Sequence, residues 1–218
     1  MPAKPKKKNT PPRFLSTDLD GTILGKPDAL ERFKETIHKS REDQSDFVLC
    51  YNTGRMLDDM LDMVGSGRLI EPDYLICGVG TVIYDCGKGS RIKDFAHVLE
   101  EGWNLSVVED ILTRRTQARL QPRKYQAPFK SSWYLEDAPP ELLQALESDL
   151  DEAGLNINVV YSSSRDLDIL PKHANKGNAL DWLLRHFSIS PDEVVVAGDT
   201  GNDSAMFSLP GVRGIVVG

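Results

Sequence analysis

Residues 14–24 read Phe14-Leu15-Ser16-Thr17-Asp18-Leu19-Asp20-Gly21-Thr22-Ile23-Leu24, a short apolar run that ends in two carboxylates two positions apart. Side chains alternate between faces along an extended strand, so Asp18 and Asp20 leave its end in similar directions. Asp-Gly is also an ordinary turn signal. A turn with two acids and a site with two acids are both open at this point.

The chain that follows alternates between helical and strand periods. Leu30, Phe33 and Ile37 recur at helical spacing and lead into the strand-like Phe47-Val48-Leu49-Cys50-Tyr51. Met56, Leu57, Met60, Leu61 and Val64 predict a second helix, stopped by Gly65 and Gly67, and Tyr74-Leu75-Ile76-Cys77 predicts a third strand. This order predicts a parallel sheet with helices on its faces. After Tyr84 the rhythm breaks. A helix near 105–115, a strand over 131–135, a helix through Leu142, Leu143, Leu146 and Leu150, and strands over 156–161 and 167–170 predict a small α+β unit. The first rhythm then returns, with a helix through Leu180, Leu183, Leu184 and Phe187, the strand Val194-Val195-Val196-Ala197, a short helix near 204–209 and a strand over 212–217.

The predicted fold class is therefore α/β, a parallel-sheet core over 13–86 and 171–218 with an α+β unit over 87–170 inserted into it. The last strand falls at the end of the given chain, which predicts a further covering helix beyond residue 218.

Composition narrows the function. At 218 residues and 40% hydrophobic content the chain can bury a sizeable core. Its net charge is -7, yet residues 1–13 hold five cations and no acid; without those five the body keeps 21 cations against 33 acids, a balance of -12. An acidic body argues against a nucleic-acid surface, and the Pro- and Lys-rich residues 1–12 predict a disordered, solubilising tail. No apolar run approaches a membrane span or a secretory signal, so the chain reads as soluble and cytoplasmic. Cys50, Cys77 and Cys86 are odd in number, and the first two sit in apolar runs, which predicts reduced core thiols. His38, His97, His173 and His186 lack ligand spacing, so any metal has to be held by oxygen.

Four polar clusters end predicted strands or open predicted helices: Asp18/Asp20, Asn52-Thr53-Gly54-Arg55, Asn175-Lys176-Gly177 and Gly198-Asp199-Thr200-Gly201-Asn202-Asp203. Each alone has a plain explanation as a turn, a cap or a solvated first turn. In a parallel sheet all four can meet at one mouth, where ligands of such sheets bind. Several carboxylates in one mouth need a cation, and oxygen ligands without His or Cys suit Mg²⁺, which favours phosphates. Lys176 supplies a positive charge for a phosphoryl group, and Thr53 with the N–H at Gly54 supplies neutral donors. Gly78-Val79-Gly80-Thr81 lacks the third glycine and the following helix of a dinucleotide loop, and no GxxxxGK[ST] occurs, so the phosphate comes from a small substrate rather than from a nucleotide.

With Asp18-Leu19-Asp20-Gly21-Thr22, Thr53, Lys176 and Gly198–Asp203 in that order, the chain resembles the haloacid dehalogenase (HAD) superfamily of Mg²⁺-dependent phosphatases. The late insertion resembles the C2-type cap of the sucrose-phosphate phosphatase family, including its mannosylfructose-phosphate phosphatases, as do EPDYLICGVGT, KSSWYL and VVYSSSRDLDILPKHANKGNAL. The resemblance implies Asp18 as nucleophile, Asp20 as general acid/base, and Thr53, Gly54, Lys176 and Asn202 around the phosphate. It implies Mg²⁺ on Asp18, Asp20 through its main-chain carbonyl, Asp199 and Asp203. It also implies a phosphorylated disaccharide as substrate, mannosylfructose phosphate or sucrose 6-phosphate, with a glycosyltransferase (synthase) as a candidate protein partner.

Specificity is expected from the cap. Arg123, Tyr125, Lys130 and Ser132 offer polar groups beside aromatic faces, suited either to sugar hydroxyls or to a packed cap strand. Asp166 and Asp168 meet sugar hydroxyls or belong to a hinge, and Asp58, Asp59 and Asp62 are expected on a solvated helix face. Two other functions remain open on the sequence: a phosphomutase that returns the phosphate to sugar, and a non-catalytic module that binds a sugar phosphate.

Overall fold

Near-continuous apolar strands of the first unit must be covered on both faces, and the computed structural model shows how; it describes residues 11–25, 27–199 and 201–217. Most of the expected basic tail lies outside them. The chain forms β1 (Phe14–Thr17), α1 (Pro27–Asp43), β2 (Val48–Asn52), α2 (Leu57–Gly65), β3 (Tyr74–Cys77), β4 (Val82–Asp85), β5 (Ser90–Arg91) and α3 (Lys93–Glu100). It continues with α4 (Leu105–Arg115), β6 (Arg119–Leu120), β7 (Ser131–Tyr134), α5 (Pro140–Glu152), β8 (Ile157–Ser162) and β9 (Asp166–Pro171). It closes with α6 (Lys176–His186), β10 (Val194–Gly198), α7 (Ser204–Phe207) and β11 (Arg213–Val216).

Seven strands form one sheet in the order β11-β10-β1-β2-β3-β4-β5, and β6-β7-β9-β8 form a second, antiparallel sheet. The strands from β11 to β3 run parallel, whereas β4 and β5 return antiparallel. From β1 the chain moves outward to β2 and β3, then later to β10 and β11 on the other side. The strand order therefore reverses between β1 and β10, the place where open α/β sheets bind ligands. Two apolar clusters cover the two faces, one around Phe14, Phe95, Leu180 and Val196, the other around Leu49, Tyr51, Met60 and Leu75.

In the inserted unit Trp133, Leu135, Leu167 and Ile169 pack against Val108 and Leu112 of α4 and Leu146 and Leu150 of α5. Strand alternation then turns Ser132, Tyr134, Asp166 and Asp168 to the opposite face, where Ser132 pairs with Asp168 and Tyr134 with Asp166.

The expected start of the insertion at residue 87 is corrected by the structure. Ser90 and Arg91 extend the seven-stranded sheet, and Phe95 and Leu99 of α3 are buried in the core cluster, so the core runs on to Glu100. A two-residue strand carries no alternation to read. At the other end, Pro171 still pairs with Ile157 in the second sheet. Among the described residues no helix is long and apolar enough to cross a membrane.

Candidate active site

Asp18 follows the last residue of β1, and its N–H donates to the Ala197 carbonyl of β10 at 2.9 Å, which places it at the strand reversal. Its side chain is nearly buried. Lys176, the first residue of α6, is fully buried, and its Nζ donates to Asp18 Oδ1 and to Asp203 Oδ1, each at 2.6 Å. Asn175 caps that helix by accepting from the Asn178 N–H at 2.7 Å. Asn52 at the end of β2 donates to the Lys176 carbonyl at 3.0 Å, so two strand ends and the turn before α7 register on one lysine.

Burial is the largest influence on Asp18 and raises its carboxyl above the usual range; the Lys176 ammonium opposes this, and Asp203 adds to it.

The acidic residues suit a divalent cation. Asp18, Asp199 and Asp203 each offer a carboxylate oxygen within 4.8 Å of the others. Asp199 Oδ1 is buried with no hydrogen-bond partner among the described residues. A buried, unpartnered carboxylate oxygen is costly unless something polar completes it. Gly21 permits this approach, because at φ +81° a Cβ on it would stand 2.0 Å from Asp199 Oδ2.

Thr53 and Gly54 sit at the neighbouring strand end. The Thr53 N–H donates to the Ile76 carbonyl at 2.9 Å, and its Oγ1 accepts from the Arg55 N–H at 3.2 Å. Gly78, Val79 and Gly80 all have left-handed φ, of 59°, 61° and 84°. Such a conformation is unusual for a β-branched residue and costs on the order of 1–3 kcal/mol. The turn it builds links two ends of the site. Gly78 and Val79 donate their N–H groups to the carbonyls of Arg55 (2.8 Å) and Thr53 (3.2 Å). A Cβ on Gly80 would stand 2.3 Å from the Asn175 carbonyl oxygen, so only glycine lets this turn abut the cap of α6.

Between this mouth and the inner face of the second sheet lies a cavity of about 830 Å³. The core contributes Asp18, Asp20, Gly54 and Asn202, and the cap contributes Tyr125, Lys130, Tyr134 and Asp168. Lys130 is buried, ion-paired with Asp168, and donates to Ser132 Oγ at 2.6 Å.

The catalytic and phosphate-binding candidates thus come together as expected, but two cap candidates do not reach the cavity. Ser132 is buried, its hydroxyl taken up by Lys130 and the Tyr125 carbonyl. Arg123 lies in a 3₁₀ turn and lines a separate crevice of about 100 Å³ with Arg91 and Pro128. Asp58, Asp59 and Asp62 are solvent-exposed as expected, yet they form the core-side wall of the cavity. Sequence reasoning placed Arg55 in a cluster at the mouth but gave it no role, and it passed over Gln121 and Tyr134, which line the same space. For Tyr134 the alternation with Trp133 was a usable signal. For Arg55 it was the spacing of four residues to Asp59.

The model of the sucrose-6F-phosphate phosphohydrolase family matches residues 11–218. The chain belongs to that family. It is 43% identical over 208 residues to the mannosylfructose-phosphate phosphatase of Agrobacterium fabrum, covering 95% of this chain and 84% of that one. It spans about half the length of the plant sucrose-phosphatases it also matches. Among solved structures, the sucrose-phosphatase from Synechocystis sp. PCC6803 in complex with sucrose and phosphate superposes with a TM-score of 0.82 at 32% identity, over 95% of this chain and 83% of that one. The haloacid dehalogenase-like hydrolase yhjK from Bacillus subtilis, at 18% identity and a TM-score of 0.66 over 93% of this chain and 80% of that one, shares the fold.

Proposed function

We propose that this family member hydrolyses the phosphate ester of a disaccharide, mannosylfructose phosphate or sucrose 6-phosphate, through an aspartyl-phosphate on Asp18. The observation that carries the reading is the buried Asp18–Lys176–Asp203 cluster, set at the strand reversal and open to a cavity with a polar cap wall. Mg²⁺ fits the donor set of Asp18, Asp199 and Asp203, with the Asp20 main-chain carbonyl as a further oxygen; when bound it neutralises charge on the phosphoryl oxygens.

Asp18 attacks phosphorus, and the bond from phosphorus to the sugar oxygen breaks. Asp20 delivers its proton to that oxygen, which leaves as the sugar hydroxyl. Asp20, now a carboxylate, takes a proton from water as the water attacks the aspartyl-phosphate, which frees inorganic phosphate and restores both residues. Lys176, Thr53, the Gly54 N–H and Asn202 hold the phosphoryl oxygens. Tyr125 and Lys130 bear on the sugar.

A phosphorylated disaccharide can be supplied by glycosyl transfer onto a sugar phosphate, and a synthase that makes it so is the proposed partner. Phosphate release across sucrose 6-phosphate, mannosylfructose phosphate, trehalose phosphate and hexose monophosphates, with and without chelator, tests the reading. Release from a disaccharide phosphate that stops on chelation supports it. Release only from monosaccharide phosphates, or release that survives chelation, overturns it.

A further inference from the structure

Arg55 follows the phosphate-binding turn directly, yet its side chain is committed to carboxylates. Its Nε and Nη2 donate to the two oxygens of Asp20, each at 2.7 Å, while Nη1 donates to Asp59 at 2.9 Å. A bidentate guanidinium fixes the plane of a carboxylate as well as its location. Asp20 needs such a guide. Its side chain is 54% exposed, and among the described residues no other side chain hydrogen-bonds it. Arg55 is itself held to the site, because its N–H donates to Thr53 Oγ1 and its carbonyl accepts from the Gly78 N–H at 2.8 Å. Asp59, four residues on in the first turn of α2, anchors the far end of the guanidinium.

We infer that Arg55 is a positioning residue that aims the Asp20 carboxyl at the oxygen leaving the substrate, in register with the phosphate held at Thr53. The inference rests on the reaction proposed above, but on no particular sugar. In the first half-reaction Asp20 carries the proton it took from water in the previous turnover; with that proton on one oxygen, only the other accepts from Arg55, and the hydroxyl turns to the leaving oxygen. The other oxygen keeps its hydrogen bond to the guanidinium. In the second half-reaction the restored carboxylate regains both bonds, oriented for the incoming water.

Proton delivery matters in proportion to how poor the leaving group is, and this separates positioning from a structural role. The experiment measures kcat/KM over a series of aryl and alkyl monophosphates, from 4-nitrophenyl phosphate to the best sugar phosphate. The enzymes are wild type, Arg55→Met, Arg55→Lys and Asp20→Asn, with Mg²⁺ present. Arg55→Met is expected to lose about 100-fold on alkyl and sugar esters and less than about 10-fold on the nitrophenyl ester, the pattern of an impaired general acid. Asp20→Asn follows the same dependence more steeply, Arg55→Lys recovers part of the loss, and Arg55→Met added to Asp20→Asn costs little more. Equal loss on every ester, no loss, or additive effects in the double variant overturns the inference. The nitrophenyl ester also shows that each variant is folded. A wild type that hydrolyses the graded series but no disaccharide phosphate defeats the substrate reading and leaves the Arg55 result standing.

Discussion

Two lysines are buried at this site, Lys130 on the cavity wall and Lys176 behind Asp18, and they are held in opposite ways. Lys176 in the core lies between Asp18 and Asp203, which come from distant parts of the chain and are assigned to chemistry. Lys130 in the cap is tied to Asp168 and Ser132, paired neighbours in its own sheet. In the proposed reaction the core cation is balanced by groups that change partners when phosphate arrives, whereas the cap cation is balanced locally. One lysine then belongs to the proposed chemistry and the other to the shape of the proposed sugar site.

The contrast can be broken by substitution. Asp18→Asn removes the nucleophile and is expected to lower kcat by about 10⁴-fold or more; turnover within tenfold of wild type removes Asp18 from the chemistry. Lys176→Met leaves Asp18 and Asp203 facing each other in a buried site, so metal-free protein should lose about 3–5 kcal/mol in denaturant unfolding. Added Mg²⁺ should restore part of that stability. A metal-free variant as stable as wild type would show that the lysine balances nothing. Lys130→Met is expected to lower kcat/KM about 10–100-fold, mainly through KM, since it removes a charged hydrogen-bonding group from the sugar wall. A fall in kcat alone would move Lys130 to the same class as Lys176.

Two smaller effects sharpen the picture. Because burial raises the Asp18 carboxyl, its proton is taken up at a higher pH than in an ordinary aspartate, and Mg²⁺ has to displace it. Mg²⁺ affinity read by calorimetry should therefore weaken as the pH is lowered from neutrality, and should do so before ordinary aspartates take up protons. A pH-independent affinity would place the cation away from Asp18. Burial also pushes the thiols of Cys50 and Cys77 up, and that of Cys86 up to about 12, so native protein at pH 8 should resist alkylation at all three until denaturant is added.

The half of the cavity proposed for the reaction could be assembled from the sequence because its residues sit at strand ends and helix starts, where backbone geometry and chemistry demand the same short patterns. Asp18/Asp20, Thr53-Gly54, Lys176 and Asp199/Asp203 are of this kind. The sugar half is written across the faces of elements. Ser132 and Lys130 stand two residues apart, yet one hydroxyl is consumed internally while the other side chain reaches the cavity, a difference set by the turn over 122–130 and by Gln126. The wall of Asp58, Asp59 and Asp62 looks like any solvated helix face until the cap stands opposite it. The two-residue strand β5 carried too little pattern to mark where the core ends.

The left-handed turn Gly78-Val79-Gly80 touches the phosphate turn on one side and the cap of the Lys176 helix on the other. It is a spacer between parts that never meet in sequence. A homologue with one residue inserted there could keep every recognised motif and still be silent, so a census of motifs does not certify activity in this family, whereas the length of this spacer is a further thing to read.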